Sequence, residues 1–250
     1  GAVGVWDSNT GKELHRVASA GCAFVAPYLD GFLIRNRNDD HQVLLNGSTT
    51  KAAVSANSIA VANGGRHAIA LVDGKALRWA VGADNPTLLS DSACSAQSNA
   101  SGSMATVEDF DADDETQLTV LDTAGTTLLT RETGGACDGV QWAAGADRFA
   151  YRTRDGRTAV IDVAQRKEVF VAPSPAVPMA MSPSGSRVAL WLLGSALETT
   201  PVVVYDIASG REIFRIADSN TPRQLGAFLS ETRIVGSNTT MIATWELPSQ

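Results

Sequence analysis

The chain has 250 residues, a mass of 26.2 kDa and a net charge of −7, with an isoelectric point near 4.9. That length supports a full core and is compatible with a single all-β domain. The acidic balance argues against nucleic acid or an anionic membrane as partner, because phosphate binding needs clustered Lys and Arg, and no apolar run approaches the roughly 20 residues of a membrane-spanning helix.

In chain order, the first element is "VGVWDSNTGKELHRV" at 3–17: an apolar strand, a turn carrying Gly, and a second strand. The same phrase returns as "HQVLLNGSTTKAAV" with Asn46 at the turn, and more loosely as "KALRWAVGADNPTLL" with Asp84. It returns again as "LTVLDTAGTTLLTRE" with Asp122, "TAVIDVAQRKEVFVA" with Asp162 and "VVVYDIASGREIFRI" with Asp206. A last copy, "MIATWELPSQ", puts Glu246 in the same place. Counting Asp7 in the first copy, these seven residues recur at a period near 40, the mark of a repeat architecture.

Between copies lies a second shared phrase. "AFVAPYLDGFLIRN" (23–36), "IAVANGGRHAIALV" (59–72), "VQWAAGADRFAYRT" (140–153) and "MAMSPSGSRVALWL" (179–192) each read strand, tight turn, strand. Gly, Asn and Asp in the turns supply positive φ at little cost and join antiparallel strands. The strands are short, β-branched and two-periodic, and no sustained 3.6-residue period predicts a helix.

Four short strands in each 40-residue period resemble a β-propeller blade, and the motifs "VWDSNTGKEL", "SPSGSRVAL" and "YDIASGREI" resemble the WD-repeat family and its bacterial relatives. The resemblance covers essentially the whole chain. Only Trp6-Asp7 keeps the true Trp-Asp pair and no Gly-His dipeptide occurs, so the chain reads as a divergent member. The resemblance implies an all-β propeller of about seven four-stranded blades, with six as the alternative. In its phasing, the first copy has only the third and fourth strands of a blade and the last copy lacks the fourth. The expectation is a single propeller domain over 1–250 in which an upstream segment of a longer polypeptide supplies the missing strands, since open sheet edges are an aggregation liability.

The chemistry-bearing residues are few. "VEDFDADDETQ" places Asp109, Asp111 and Asp113 in alternation, followed by Gln117. Alternating acids can supply the hard oxygen ligands of calcium, and the spacing resembles the calcium loop of FG-GAP repeats; a solvated acidic loop is the competing reading. "GACDG" around Cys137 imitates a nucleophile elbow but lacks the helix and His partner that such an elbow needs. No catalytic constellation is found, so the chain is expected not to be an enzyme. Cys22, Cys94 and Cys137 read as small buried residues, with a Cys94–Cys137 bridge as the minor alternative. Asn46, Asn99 and Asn238 fit the glycosylation sequon and read as chance matches.

Loops on a rigid scaffold often carry function. The candidates for partner binding are Arg35, Arg37, Asp39, Asp40 and His41 in "RNRNDDH", Arg152, Arg154 and Arg157 in "RTRDGR", and Glu198 in "LLGSALETT". In the phasing of the resembled family these loops join the second and third strands of their blades. The expected function is a scaffold that presents them to a protein partner or a neighbouring domain. A recognition or gating domain of a larger enzyme, and a propeller that binds a small molecule or calcium, are the alternatives. No cofactor beyond possible calcium is implied. The abundance of Ala and of Arg over Lys points to a bacterial genome. The compartment, cytoplasmic or periplasmic, stays open.

Overall fold

In a computed structural model the chain is built from antiparallel β-strands; no helix occurs among the described residues. These are 2–6, 10, 12–18, 22–28, 31–36, 41–45, 48–51, 58–62, 67–80, 86–110, 116–134, 137, 140–193, 202–216, 224–237 and 242–248. None of them forms a helix long and apolar enough to cross a membrane. The chain divides into two compact units, Gly1–Gly102 and Ser103–Gln250.

In the first unit, β1 (Ala2–Trp6) pairs with β2 (Glu13–Ala18) as a two-stranded sheet. Strands β3 (Cys22–Tyr28), β4 (Gly31–Asn36), β5 (His41–Leu45) and β6 (Ser48–Lys51) form a four-stranded meander. A second meander holds β7 (Ser58–Ala62), β8 (His67–Val72), β9 (Lys75–Ala80) and β10 (Thr87–Ser90). The strand β11 (Ala93–Ser98) follows. Ala68, Ile69 and Ala70 of β8 are buried together, the mark of a strand covered on both faces.

In the second unit, β12 (Met104–Phe110), β13 (Thr116–Asp122) and β14 (Thr127–Glu132) pair in sequence order. Next comes a seven-stranded run of β15 (Gln141–Trp142), β16 (Arg148–Arg152), β17 (Arg157–Asp162), β18 (Lys167–Met181), β19 (Arg187–Leu192), β20 (Val202–Asp206) and β21 (Glu212–Ile216). Its hinge is β18, fifteen residues long, whose first half pairs with β17 and whose second half pairs with β19. Bulges at both pairings bend it, as two-versus-one pairing does. The unit ends in a three-stranded sheet, β22 (Gln224–Ser230), β23 (Arg233–Ser237) and β24 (Ile242–Glu246).

Three apolar clusters lie between successive strand groups. One gathers Leu118, Val120, Phe149, Tyr151 and Ile161; a second Val160, Phe170, Val188, Leu190 and Val203; a third Ala189, Val202, Val204, Phe228 and Ile234. The inner strands therefore carry apolar residues on both faces, one for each neighbouring cluster, and each fully buried Val, Ile or Leu contributes about 1.5–3 kcal/mol.

The recurring acid of the sequence has a common task. Asp122 Oδ1 accepts the backbone N–H groups of Ala124 and Thr126, Asp162 Oδ1 that of Gln165, and Asp206 Oδ1 that of Ser209. Each caps the turn that follows its strand, which is why Asp recurs there. Asp7, Asn46 and Asp84 lie outside the described residues.

Candidate functional site

The "RTRDGR" corner joins β16 to β17 in the second unit. Its shape follows from a short hydrogen-bonded turn: Gly156 N–H donates to Thr153 O at 2.9 Å, and Thr153 N–H to Arg157 O at 2.8 Å. Asp155 locks it from the side, accepting the Thr153 hydroxyl and, at 2.6 Å, Arg157 Nε. The hydroxyl and the guanidinium, in that order, hold the Asp155 carboxyl below its usual range.

Beside this turn lies an open groove of about 550 Å³. One wall is the end of β14, with Thr130, Arg131 and Glu132; the other is β18, with Glu168 and Val171. Arg154 reaches Glu132 at 3.4 Å, and both side chains are largely exposed. Arg131 donates to the carbonyls of Thr130 and Arg166. The floor includes Tyr151, which is buried and donates its hydroxyl to Glu168 Oε1 at 2.9 Å. Burial first, then that hydrogen bond to Glu168, pushes the Tyr151 phenol far above its usual value, so it stays a neutral donor. Phe149 lies 6.0 Å from Tyr151 and 4.9 Å from Trp142, ring centre to ring centre, and the rings fix one another in tilted contacts. Trp142 in turn donates to the Thr106 hydroxyl at 3.3 Å.

Three guanidiniums (Arg131, Arg154, Arg157) thus alternate with three carboxylates (Glu132, Asp155, Glu168) around a shallow groove, with the half-exposed Val171 beside them. An open, charged, near-neutral surface of this kind suits another macromolecular surface better than a small molecule, which binds in enclosed and mostly apolar pockets.

Of the residues expected from sequence, Arg154 and Arg157 line the groove. Arg152, half-buried at the end of β16, offers its carbonyl to Gly134 N–H at 3.3 Å. Arg35 and His41 are register partners across β4 and β5 of the first unit; Arg37, Asp39, Asp40 and Glu198 lie outside the described residues. Asp109 and Gln117 are register partners across β12 and β13, flanking the acidic loop, while Asp111 and Asp113 fall outside the described residues. The described residues contain no cluster of three His, Cys, Asp or Glu suited to a metal.

Sequence reasoning missed Arg131, Glu132, Tyr151 and Glu168. Arg131 and Glu132 end a fourth strand and Tyr151 sits within a strand pattern, so none stood in a loop. The end of the fourth strand β14 reaches the next copy's "RTRDGR" turn, where Thr133 pairs with Thr153. The cysteine reading is corrected, and the reading of the Asn99 sequon as a chance match fits its burial. Cys94 and Cys137 are each disulfide-bonded rather than buried thiols. Asn99 of the sequon is 2% exposed, which leaves no room for a glycan.

No family model and no curated protein sequence matches the chain. Solved structures do. The Cps50 (Swd1) β-propeller domain of Myceliophteria thermophila aligns with a TM-score of 0.71 at 9% identity, covering 99% of this chain and 90% of that one. A chain of a mitotic checkpoint complex aligns with a TM-score of 0.72 at 12% identity, over 99% and 84% of the two chains. BamB from Moraxella catarrhalis aligns with a TM-score of 0.63 at 14% identity, over 98% and 79%. These likenesses extend over the whole chain, and they match the period-40 strand grammar of the sequence. In fold, the chain is a divergent WD-repeat-like β-propeller.

Proposed function

We propose that this chain is a protein-binding scaffold that offers the groove around Arg154 and Arg157 to a protein partner or a neighbouring domain, without chemistry on what it binds. The observation that carries the reading is the groove itself: paired charges on a turn braced by its own hydrogen bonds, beside the buried Tyr151, whose ring is packed on Phe149. Rigid presentation lowers the ordering cost of association, and a few anchors dominate its energy. One structural neighbour is a chain of a multiprotein assembly, the mitotic checkpoint complex, which supports the same reading by analogy of fold. Seven blades belong to the same reading: β18 closes one four-stranded group (β15–β18) and opens the next (β18–β21), and the partial sheets β1–β2 and β22–β24 are counted as separate blades.

The test is differential capture. Full-length protein and the Arg154→Glu/Arg157→Glu variant are used as baits under identical salt, with melting temperatures checked first. The reading expects a protein held by the parent and lost by the variant. Identical captured sets from two equally stable baits would overturn it.

A further inference from the structure

Strand β14 has one edge in its sheet and the other toward the groove. On the sheet side Thr133 N–H donates to Thr116 O at 2.9 Å, and Leu118 and Val120 of β13 stand opposite Arg131 and Leu129. An antiparallel ladder alternates its bonds, so the backbone groups of Thr130, Glu132 and Gly134 turn to the outer edge. Two of these groups are in use. Gly134 N–H donates to Arg152 O at 3.3 Å as part of the Thr133–Thr153 bridge, and Thr130 O accepts Arg131 Nη1 at 2.8 Å. The bridge is the first rung of a ladder on this edge. It goes no further, because the turn closed by Gly156 N–H and Thr153 O leads the chain into β17. No strand among the described residues pairs with the rest of the edge, and such an edge is a template for an added strand.

The same stretch carries an unbalanced charge. Arg157 is joined to Asp155, and Arg154 to Glu132. Glu168 already accepts the Tyr151 hydroxyl. Half-buried Arg131 is bonded to two carbonyls, Thr130 O and Arg166 O, and forms no ion pair with a carboxylate of the described residues. Residues directly opposite in an antiparallel pair put their side chains on one face within reach of each other, and opposite charges there attract while like charges repel. A strand on the outer edge of β14 thus gains most from an acid opposite Arg131. The half-exposed Val171 on the far wall offers apolar contact to the residues two positions away on that face.

Resting on the reading of the groove as the docking site, we propose that the partner binds by strand addition. An extended segment of the partner lies along the outer edge of β14, exchanges hydrogen bonds with Thr130, and sets an Asp or Glu side chain beside Arg131. Arg131 then releases Thr130 O to the incoming N–H and turns to the carboxylate.

The experiment titrates the full ¹⁵N-labelled chain with the blocked peptide acetyl-Val-Thr-Glu-Thr-Val-amide while the Thr130 amide and the Arg131 Nε–Hε are followed. Both should shift saturably in the millimolar range. Methylating both threonine nitrogens of the peptide, which removes the edge donors and keeps every side chain, should abolish the shifts. Replacing its Glu by Gln should weaken binding about fivefold, the upper end for a cross-strand ion pair, and Arg131→Gln, checked for an unchanged melting temperature, should erase that difference. A Thr130 amide that fails to saturate by about 50 mM, beyond the range of weak ligands, would overturn the proposal. So would equal binding of the methylated peptide, or equal binding of the Glu and Gln peptides to the parent. Any of these results, together with loss of partner capture in Arg154→Glu/Arg157→Glu, overturns strand addition and leaves the groove reading standing; undiminished capture in that variant overturns both.

Discussion

Arg148 and Asp162, fourteen residues apart in sequence and register partners across β16 and β17, are joined by two contacts of 3.0 Å to one carboxylate oxygen. Asp162 Oδ1 meanwhile caps the following turn through Gln165, and Arg148 Nη1 reaches Gly185 O in the next repeat's turn at 3.3 Å. One acid therefore serves its own turn, its own hairpin and, through the arginine, the neighbouring repeat. Asp162→Ala should lower stability by about 2 kcal/mol, because a partly buried guanidinium loses its counter-charge along with the turn cap. Urea unfolding of the variant and the parent checks this; a loss indistinguishable from zero would show the pair to be ornamental.

Two glycines separate backbone strain from crowding. Gly185 and Gly210 have φ of +69° and +68°. A Cβ at Gly185 would lie 3.0 Å from Arg148 Cδ and 3.3 Å from Ala143 Cβ, whereas a Cβ at Gly210 meets nothing within 4 Å. Gly210→Ala should cost about 1–2 kcal/mol, the left-handed penalty alone, and Gly185→Ala distinctly more. Equal losses in paired denaturation curves would contradict the packing described for the Arg148 turn.

Stability should also respond to acid through Glu231. Burial pushes its carboxyl up, but hydrogen bonds from Ser184 N–H and from the Ser184, Ser182 and Ser186 hydroxyls outweigh it and hold Glu231 below the usual glutamate value of 4.5. A depressed folded pKa means that the contribution is complete above the ordinary value and is lost as pH falls through the lower, folded one. Glu231→Gln should therefore be destabilised relative to the parent near neutrality, with the gap closing as pH drops below about 4. Thermal melts from pH 7 to pH 3 provide the comparison, and a gap that widens on acidification would contradict the hydrogen-bond assignment.

The sulfur chemistry is equally checkable. Cys94 and Cys137 are each disulfide-bonded, so peptides containing them should resist alkylation in denaturant without reductant and become alkylated after reduction. Ready alkylation of both in unreduced protein purified under air would contradict the bonded state.

Much of the fold could be read from the sequence because two local tasks recur. The acid at a strand end is a turn cap at Asp122, Asp162 and Asp206, and a one-residue change of register would leave it nothing to cap. The Ser-Pro-Ser-Gly turn is likewise fixed, with Ser182 Oγ accepting Arg187 N–H at 3.1 Å. The course of β18 was not legible. Pro173, Pro175 and Pro178 lack the N–H that a ladder uses, yet the chain stays extended through them, with bulges in both of its pairings. The groove was half legible. Arg154 and Arg157 stand out in a charged loop, but Tyr151 and Arg131 look like ordinary strand residues until tertiary pairing sets Thr133 against Thr153. The same limit hid Arg187, whose bonds to Glu231 O and Pro248 O depend on three-dimensional neighbours and leave no mark in composition or spacing.

The most direct measurement of the central claim is hydrogen exchange on the full chain with and without the captured partner. The account predicts slowed exchange over 151–157 together with 130–132 and 168–171, the three segments that meet at the groove. Protection confined to other segments, with the Arg154 turn exchanging as fast as in the free protein, would contradict it.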